Sequence, residues 1–305
     1  MHDVILVGVG KIARDQHLPA IAANPDFRLV AAVSRHGTVE GVKNFTDFDD
    51  FLQNGPAGAL ALCTPPAVRT EMVLKAVAAG RDVLIEKPPA ATMGEAEAMV
   101  QAARAAGVVF FATWHSRHAA AAAAARDWLA ERVLENVEIS WKEDVRRWHP
   151  NQEWIWQPGG FGVFDPGINA LSLLTTVVPG PMHVTRAQLE TPANRQTPIG
   201  VEMEIATVTG APVKAVFDWR QEGPQSWNIR IKASGQVLDL SDGGAHMAVD
   251  GVAHPVAPQG EYPDIYRRFA ELLARRESDA DLSPLRLVAD AFMLGERVTT
   301  DAFYD

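Results

Sequence analysis

Residues 4–114 alternate short apolar runs with longer segments of mixed polarity. The runs fall at 4–7, 28–33, 59–63, 83–85 and 108–111 and consist mainly of Val, Ile, Leu, Ala and Phe. Near-continuous apolar runs of this length suit strands buried on both faces. Between them, residues 68–79 lead to Gly80 and residues 92–106 to Gly107, and glycine is the residue that most readily ends a helix. The alternation predicts a parallel sheet covered by helices.

The texture changes at Ala119. Residues 119–125 are an unbroken alanine run, which predicts a helix opening a second domain. A period of two follows: Val137, Ile139 and Trp141 alternate with Glu138, Ser140 and Lys142, and the period returns at Val201, Met203, Ile205 and at Val213, Ala215, Phe217. Strands with one apolar face, following each other with few helices between, predict a large, mostly antiparallel open sheet. Leu285, Val288, Ala289 and Phe292 then follow Pro284 at helical spacing, and this segment, near 284–298, is expected to pack back toward the first domain. The expected domains are 1–118 and 119–305, the second of α+β type.

Composition narrows the function. A chain of 305 residues, 47% hydrophobic, is long enough for two cores. Its net charge of -10 repels polyanions, which argues against nucleic acid or an anionic membrane as partner and for a small neutral substrate. Cys63 is the single cysteine and sits in an apolar run, so no intrachain disulfide forms and a reducing, cytoplasmic setting is expected. Met1-His2-Asp3 leads into the first strand without the basic region of a signal peptide, and no apolar stretch nears the about 18 residues that span a bilayer.

The first strand runs straight into Gly8-Val9-Gly10-Lys11-Ile12-Ala13, the G-x-G-x-x-G/A pattern in the strand–turn–helix context that gives it meaning. Gly8 allows the tight turn, Gly10 lets the backbone approach a pyrophosphate, and Ala13 lets the helix pack closely. The helix start, with Lys11 and Ile12, offers N–H groups to phosphates. The first domain is thus expected to be a doubly wound Rossmann sheet binding a nicotinamide dinucleotide. NAD sites usually carry Asp or Glu after the second strand. Here that strand ends in Ser34-Arg35-His36, where a guanidinium suits a 2'-phosphate, so NADP is the expected cofactor with NAD also usable.

Glu86-Lys87-Pro88 ends a later strand, at the sheet edge where such folds bind ligands. Together with the glycine pattern, Thr64-Pro65-Pro66, Gly159-Gly160 and Asp165-Pro166-Gly167-Ile168-Asn169, it resembles the glucose-fructose oxidoreductase and inositol dehydrogenase family over the whole chain. Longer stretches around Gly10 to Pro19, Ala112 to Ser116, Trp141 to Pro150 and Gly162 to Leu171 are similar to the family's bacterial aldose 1-dehydrogenases of L-arabinose and D-galactose. The resemblance implies oxidation of the anomeric carbon of L-arabinose, D-galactose or D-fucose to the aldonolactone, in a homodimer joined through the open sheet. It also places Thr64, Pro65, Glu86 and Lys87 at the cofactor.

Two positions depart from the broader family: Asn169 replaces a histidine four residues after Asp165, and Arg69 replaces a histidine after the Thr-Pro motif, with no role evident for it. An amide cannot serve as a base. By resemblance, Asp165 on the second domain is therefore expected to take the anomeric proton, with Lys87 on the first as electrostatic anchor. Asn169, Glu143 and His149 are expected at the sugar, and Trp148 and Trp154, with Trp156 near them, offer indole faces to a pyranose ring. No metal site is expected. Two other readings stay open: another sugar or inositol dehydrogenase of the family, and a nucleotide-binding regulatory protein without catalysis.

Overall fold

The computed structural model describes residues 1–257 and 260–304. They divide into two compact units, residues 1–115 with 261–282, and residues 116–260 with 283–305.

The first unit holds a six-stranded sheet in the order β3-β2-β1-β4-β5-β6, all parallel. Its strands are β1 (His2–Val7), β2 (Phe27–Val33), β3 (Lys43–Phe45), β4 (Ala59–Leu62), β5 (Val83–Ile85) and β6 (Phe110–Ala112). Helices α1 (Leu18–Ala23), α2 (Phe48–Asn54), α3 (Pro66–Ala78) and α4 (Met93–Ala106) connect them. Val4 to Val7 are fully buried, as expected of a strand covered on both faces. Thr92 caps α4 through a reciprocal box with Glu95, and Gly107 ends it at φ 67°. The strand order reverses between β1 and β4, and at such a switch point the loops leaving the carboxyl ends of neighbouring strands diverge into a ligand crevice.

The second unit holds a nine-stranded mixed sheet, β14-β13-β12-β11-β7-β10-β9-β8-β15, whose outer strands are β12 (Gln236–Ser241), β13 (His246–Val249) and β14 (Val252–His254). The strands that position the candidate site are β7 (Leu134–Lys142), β8 (Met182–Pro192), β9 (Gly200–Thr207), β10 (Pro212–Asp218) and β11 (Ser226–Ala233). Pairing is antiparallel except for β7 with β10 and β8 with β15 (Glu296–Thr300). The alanine run opens α5 (Ala122–Ala130), and α6 (Val145–Trp148) and α7 (Phe164–Val177) follow β7.

One expectation needs correction. The helix returning to the first unit is α8 (Tyr262–Arg275), not the segment near 284–298. Tyr262, Ile265, Tyr266, Phe269, Leu272 and Leu273 form one apolar stripe that joins the core of the first sheet, with Phe269 stacked on Phe27 at 5.7 Å. Helix α9 (Ser283–Leu294) instead packs on α7 and β8 of the second unit, and residues 296–300 are strand. Strand β3 was also unforeseen, being three residues long and mostly exposed.

Candidate active site

On the first unit, the loop after β1 has the form a nucleotide needs. Gly8 has φ 89°, and a Cβ there would lie 3.0 Å from the Thr64 backbone nitrogen, so β4's loop closes against it. A Cβ on Gly10 would meet nothing within 4 Å, so the space before this backbone is open. Ala13 is fully buried against the sheet. The Thr64 hydroxyl is buried and has no hydrogen-bond partner in the protein, a donor left for a ligand. These features fit a dinucleotide whose pyrophosphate meets the helix start. Lys11 and Ile12 are exposed there, Lys11 paired with Asp15. Pro65 is exposed beside Thr64.

At the end of β2, Ser34 accepts a hydrogen bond from the Gly37 N–H at 3.2 Å and shapes the turn. Arg35 and His36 are exposed, and Arg14 reaches the same turn through the Thr38 carbonyl at 3.3 Å. The helix entering α1 opens with a π turn, Ala13–His17, which delivers His17 to the interior.

Sequence reasoning placed Glu86 at the cofactor, but its carboxylate points into the protein. Oε1 accepts from His17 Nε2 at 2.9 Å and from the Tyr262 hydroxyl at 2.8 Å, while Oε2 accepts the Lys87 N–H at 2.9 Å. His17 Nδ1 pairs with the Tyr266 hydroxyl at 2.8 Å. Burial works against charge on Glu86, yet the hydrogen bond and positive charge of His17 outweigh it and hold the carboxyl at about 2. Burial also works against charge on His17, but Cys63, Tyr266 and Glu86 around the ring raise it well above 6.5. Burial, then the Glu86 charge, pushes the Tyr262 phenol well above 10. Lys87 itself is half-buried at this sheet edge. Arg69, without a role in the sequence, is 2% exposed and donates to the carbonyls of Thr64, Glu86 and Pro88.

On the second unit, three expected residues meet. His149 Nε2 lies 3.5 Å from Glu143 Oε1 and 3.7 Å from Asp165 Oδ2, close by but longer than a direct hydrogen bond. Glu143 follows β7, held by its N–H to the Asp218 carbonyl at 2.9 Å. Asp144 then caps α6 by accepting the Arg146 N–H at 3.0 Å, and the short helix turns the chain so that His149 comes back over Glu143. Helix α7 starts at Phe164, so Asp165 sits in its first turn. Asn169 follows one turn later, partly exposed. Gly167 lets α7 approach β10, since a Cβ there would lie 2.7 Å from the Phe217 ring.

Two tryptophans that sequence reasoning missed complete this cluster. Trp219 Nε1 donates to Glu143 Oε1 at 3.2 Å, and Trp227 Nε1 donates to Oε2 at 3.0 Å. Trp219 extends the alternation Val213, Ala215, Phe217, which was the available signal. The His149 ring tilts against Trp219 at 5.2 Å, and its Nδ1 is buried without a partner. Trp148 is 39% exposed and packs edge-on against Trp227, Trp154 is partly exposed, and Trp156 is core beside Trp219. Carboxylates and an imidazole beside indole faces can accept sugar hydroxyl protons while covering the apolar face of a ring.

Among the described residues, no helix is long and apolar enough to cross a membrane. Residues 2–114 match the oxidoreductase family with an NAD-binding Rossmann fold. Galactose 1-dehydrogenase of Pseudomonas fluorescens is 48% identical over 301 residues, 98% of each chain. The crystal structure of a D-galactose-1-dehydrogenase protein from Rhizobium etli superposes with a TM-score of 0.95 at 50% identity, covering 99% of this chain and 97% of that one. The 3-ketoreductase KijD10 of Actinomadura kijaniata shares the fold, with a TM-score of 0.84 at 20% identity over 98% and 99% of the two chains. Similarity that runs the length of the chain, joined to the glycine loop and the Glu86-Lys87-Pro88 edge, shows that it belongs to the glucose-fructose oxidoreductase and inositol dehydrogenase family of oxidoreductases.

Proposed function

We propose that this protein is an aldose 1-dehydrogenase that converts free D-galactose, L-arabinose or D-fucose to the aldonolactone, with NADP preferred over NAD. The observation that carries this reading is the Glu143–His149–Asp165 cluster flanked by indoles, in a chain similar along its length to a galactose 1-dehydrogenase.

In the reaction the C1–H bond and the O1–H bond break and a C1=O double bond forms. A nicotinamide nucleotide, when bound, accepts the C1 hydride. Asp165 takes the O1 proton, with His149 Nε2 3.7 Å from its Oδ2. Asn169, one helical turn on, holds a neighbouring hydroxyl; Glu143, fixed by two indole N–H groups, accepts another, and Trp148 and Trp154 cover the ring. Lys87 contributes a fixed positive charge that binds a sugar oxygen. Gly8, Gly10, Lys11, Ile12, Thr64 and Pro65 hold the pyrophosphate region, and Ser34, Arg35 and His36 receive the 2'-phosphate, for which Arg35 supplies donors and no carboxylate stands in the way. A cytoplasmic homodimer, joined through the face of the nine-stranded sheet that the helices leave uncovered, completes the reading; light scattering in solution tests the dimer.

The decisive experiment follows NADP and NAD reduction over a panel of sugars. D-galactose or L-arabinose should lead. Preference for D-glucose or myo-inositol by tenfold in kcat/KM would overturn the substrate, and absence of cofactor reduction with any sugar would favour a nucleotide-binding regulatory role.

A further inference from the structure

We infer that Arg69 and His17 are positioning residues for Lys87, two buried side chains that hold residues 86–88, one through their carbonyls and the other through the Glu86 carboxylate, and set where the Lys87 side chain starts. This rests on the proposed role of Lys87.

The loops leaving β4 and β5 are rich in proline: Pro65 and Pro66 in one, Pro88 and Pro89 in the other. Proline brings no N–H, so these loops supply few backbone donors of their own for the carbonyls they carry. Arg69, on the first turn of α3, fills that need with one planar fork, bonding the carbonyl of Thr64 in the first loop and those of Glu86 and Pro88 in the second. An ammonium could not span three carbonyls in this way. A guanidinium that is 2% exposed is costly to bury, and packing α3 on the sheet would need only an apolar side chain.

His17 acts on the other side of the same segment. It donates to Glu86 Oε1 at 2.9 Å, and the other carboxylate oxygen accepts the backbone N–H of Lys87 at 2.9 Å. Lys87 is therefore fixed at its own amide through Glu86 and His17, and at the carbonyls on both sides through Arg69. Because the third Arg69 bond goes to Thr64, the guanidinium also ties Lys87 to the loop that closes against Gly8. Positioning of this kind matters because a displacement of about 1 Å in a binding group can cost about 100-fold in rate.

The test is a double-mutant cycle on the full chain with Arg69→Lys and Lys87→Ala, adding His17→Gln as a second route into the same clamp. If Arg69 acts through Lys87, Arg69→Lys should lower kcat at least tenfold in the parent but less than twofold in the Lys87→Ala background, and His17→Gln should behave alike. Equal factors in both backgrounds, or a lowered Tm with kcat unchanged, would overturn the inference. Fluorescence titration with NADP gives a readout independent of any sugar: Kd should rise at least threefold in Arg69→Lys as the Thr64 loop loosens, and an unchanged Kd counts against the clamp. Should Arg69→Lys fail to fold, His17→Gln carries the cycle. A parent that oxidises no sugar, yet whose NADP affinity falls on Arg69→Lys, would reject the aldose reading and keep the clamp.

Discussion

Replacing Glu86 by Gln should destabilise the protein by about 3 kcal/mol, and the loss should depend on pH in a way that only a charged buried pair produces. A carboxyl held at about 2 instead of 4.5 corresponds to about 3 kcal/mol of stability, at about 1.4 kcal/mol per factor of ten. The bonding pattern leads to a similar figure. One amide oxygen can keep the Tyr262 and His17 donors, but the amide nitrogen must then face the Lys87 N–H, and His17 loses its counter-charge; breaking a buried pair costs about 3–5 kcal/mol. Because Glu86 is depressed in the folded state, its contribution is complete above 4.5 and fades as pH falls toward about 2. Because His17 is raised, its contribution is complete below 6.5 and is lost as pH rises from there through its folded value. The stability gap between parent and variant should therefore be widest between pH 4.5 and 6.5 and narrow by up to about 1.4 kcal/mol per pH unit above 6.5. Urea unfolding followed by circular dichroism at pH 5.5 and pH 8.5 measures it. The same gap at both values would mean that the pair carries no charge and would refute the reasoning.

Asp165→Asn should lower kcat at least ~100-fold while NADP affinity stays nearly unchanged, and a kcat within about tenfold of the parent would move the base to His149 or Lys87. Arg35→Ala should weaken NADP far more than NAD in kcat/KM, since only NADP carries the 2'-phosphate; equal losses would remove Arg35 from cofactor choice. Glu143→Gln keeps one acceptor and turns an amide N–H₂ toward either Trp219 or Trp227, so it should cost about 1–3 kcal/mol in stability and raise the sugar KM, and unchanged unfolding and KM would show that the indole bonds are dispensable.

What could be read from the sequence and what could not divides along sequence distance. The strands of the first unit announce themselves because a strand buried on both faces is a local apolar run, and the Gly8–Ala13 turn because its chemistry is contiguous. Strands of the second unit show as a period of two, which fixes the face each residue takes but not its neighbour. Hence Trp219 and Trp227 could be assigned to inward-facing positions but not to Glu143, 76 and 84 residues away. The choice between two C-terminal helices was different: Tyr262, Ile265, Tyr266, Phe269 and Leu272 already trace a continuous apolar stripe, so the signal was present and α9 was read in its place.

Arg69 and His17 were beyond such reading, because each is a polar residue that faces inward and period arguments assign polar residues to solvent. His17 reaches the interior through a π turn that shifts the helical register, and its partners lie 69 and 249 residues away. Arg69 donates to the backbone carbonyls of Thr64, Glu86 and Pro88, and a backbone carbonyl carries no side-chain signature at all. A physical trace in the sequence was the proline content of the loops at 64–66 and 86–89. Prolines remove donors, so a buried loop built on them must recruit donors from elsewhere. A buried cation in the neighbouring helix is the economical answer, and it makes the segment that carries Lys87 depend on residues remote from the chemistry.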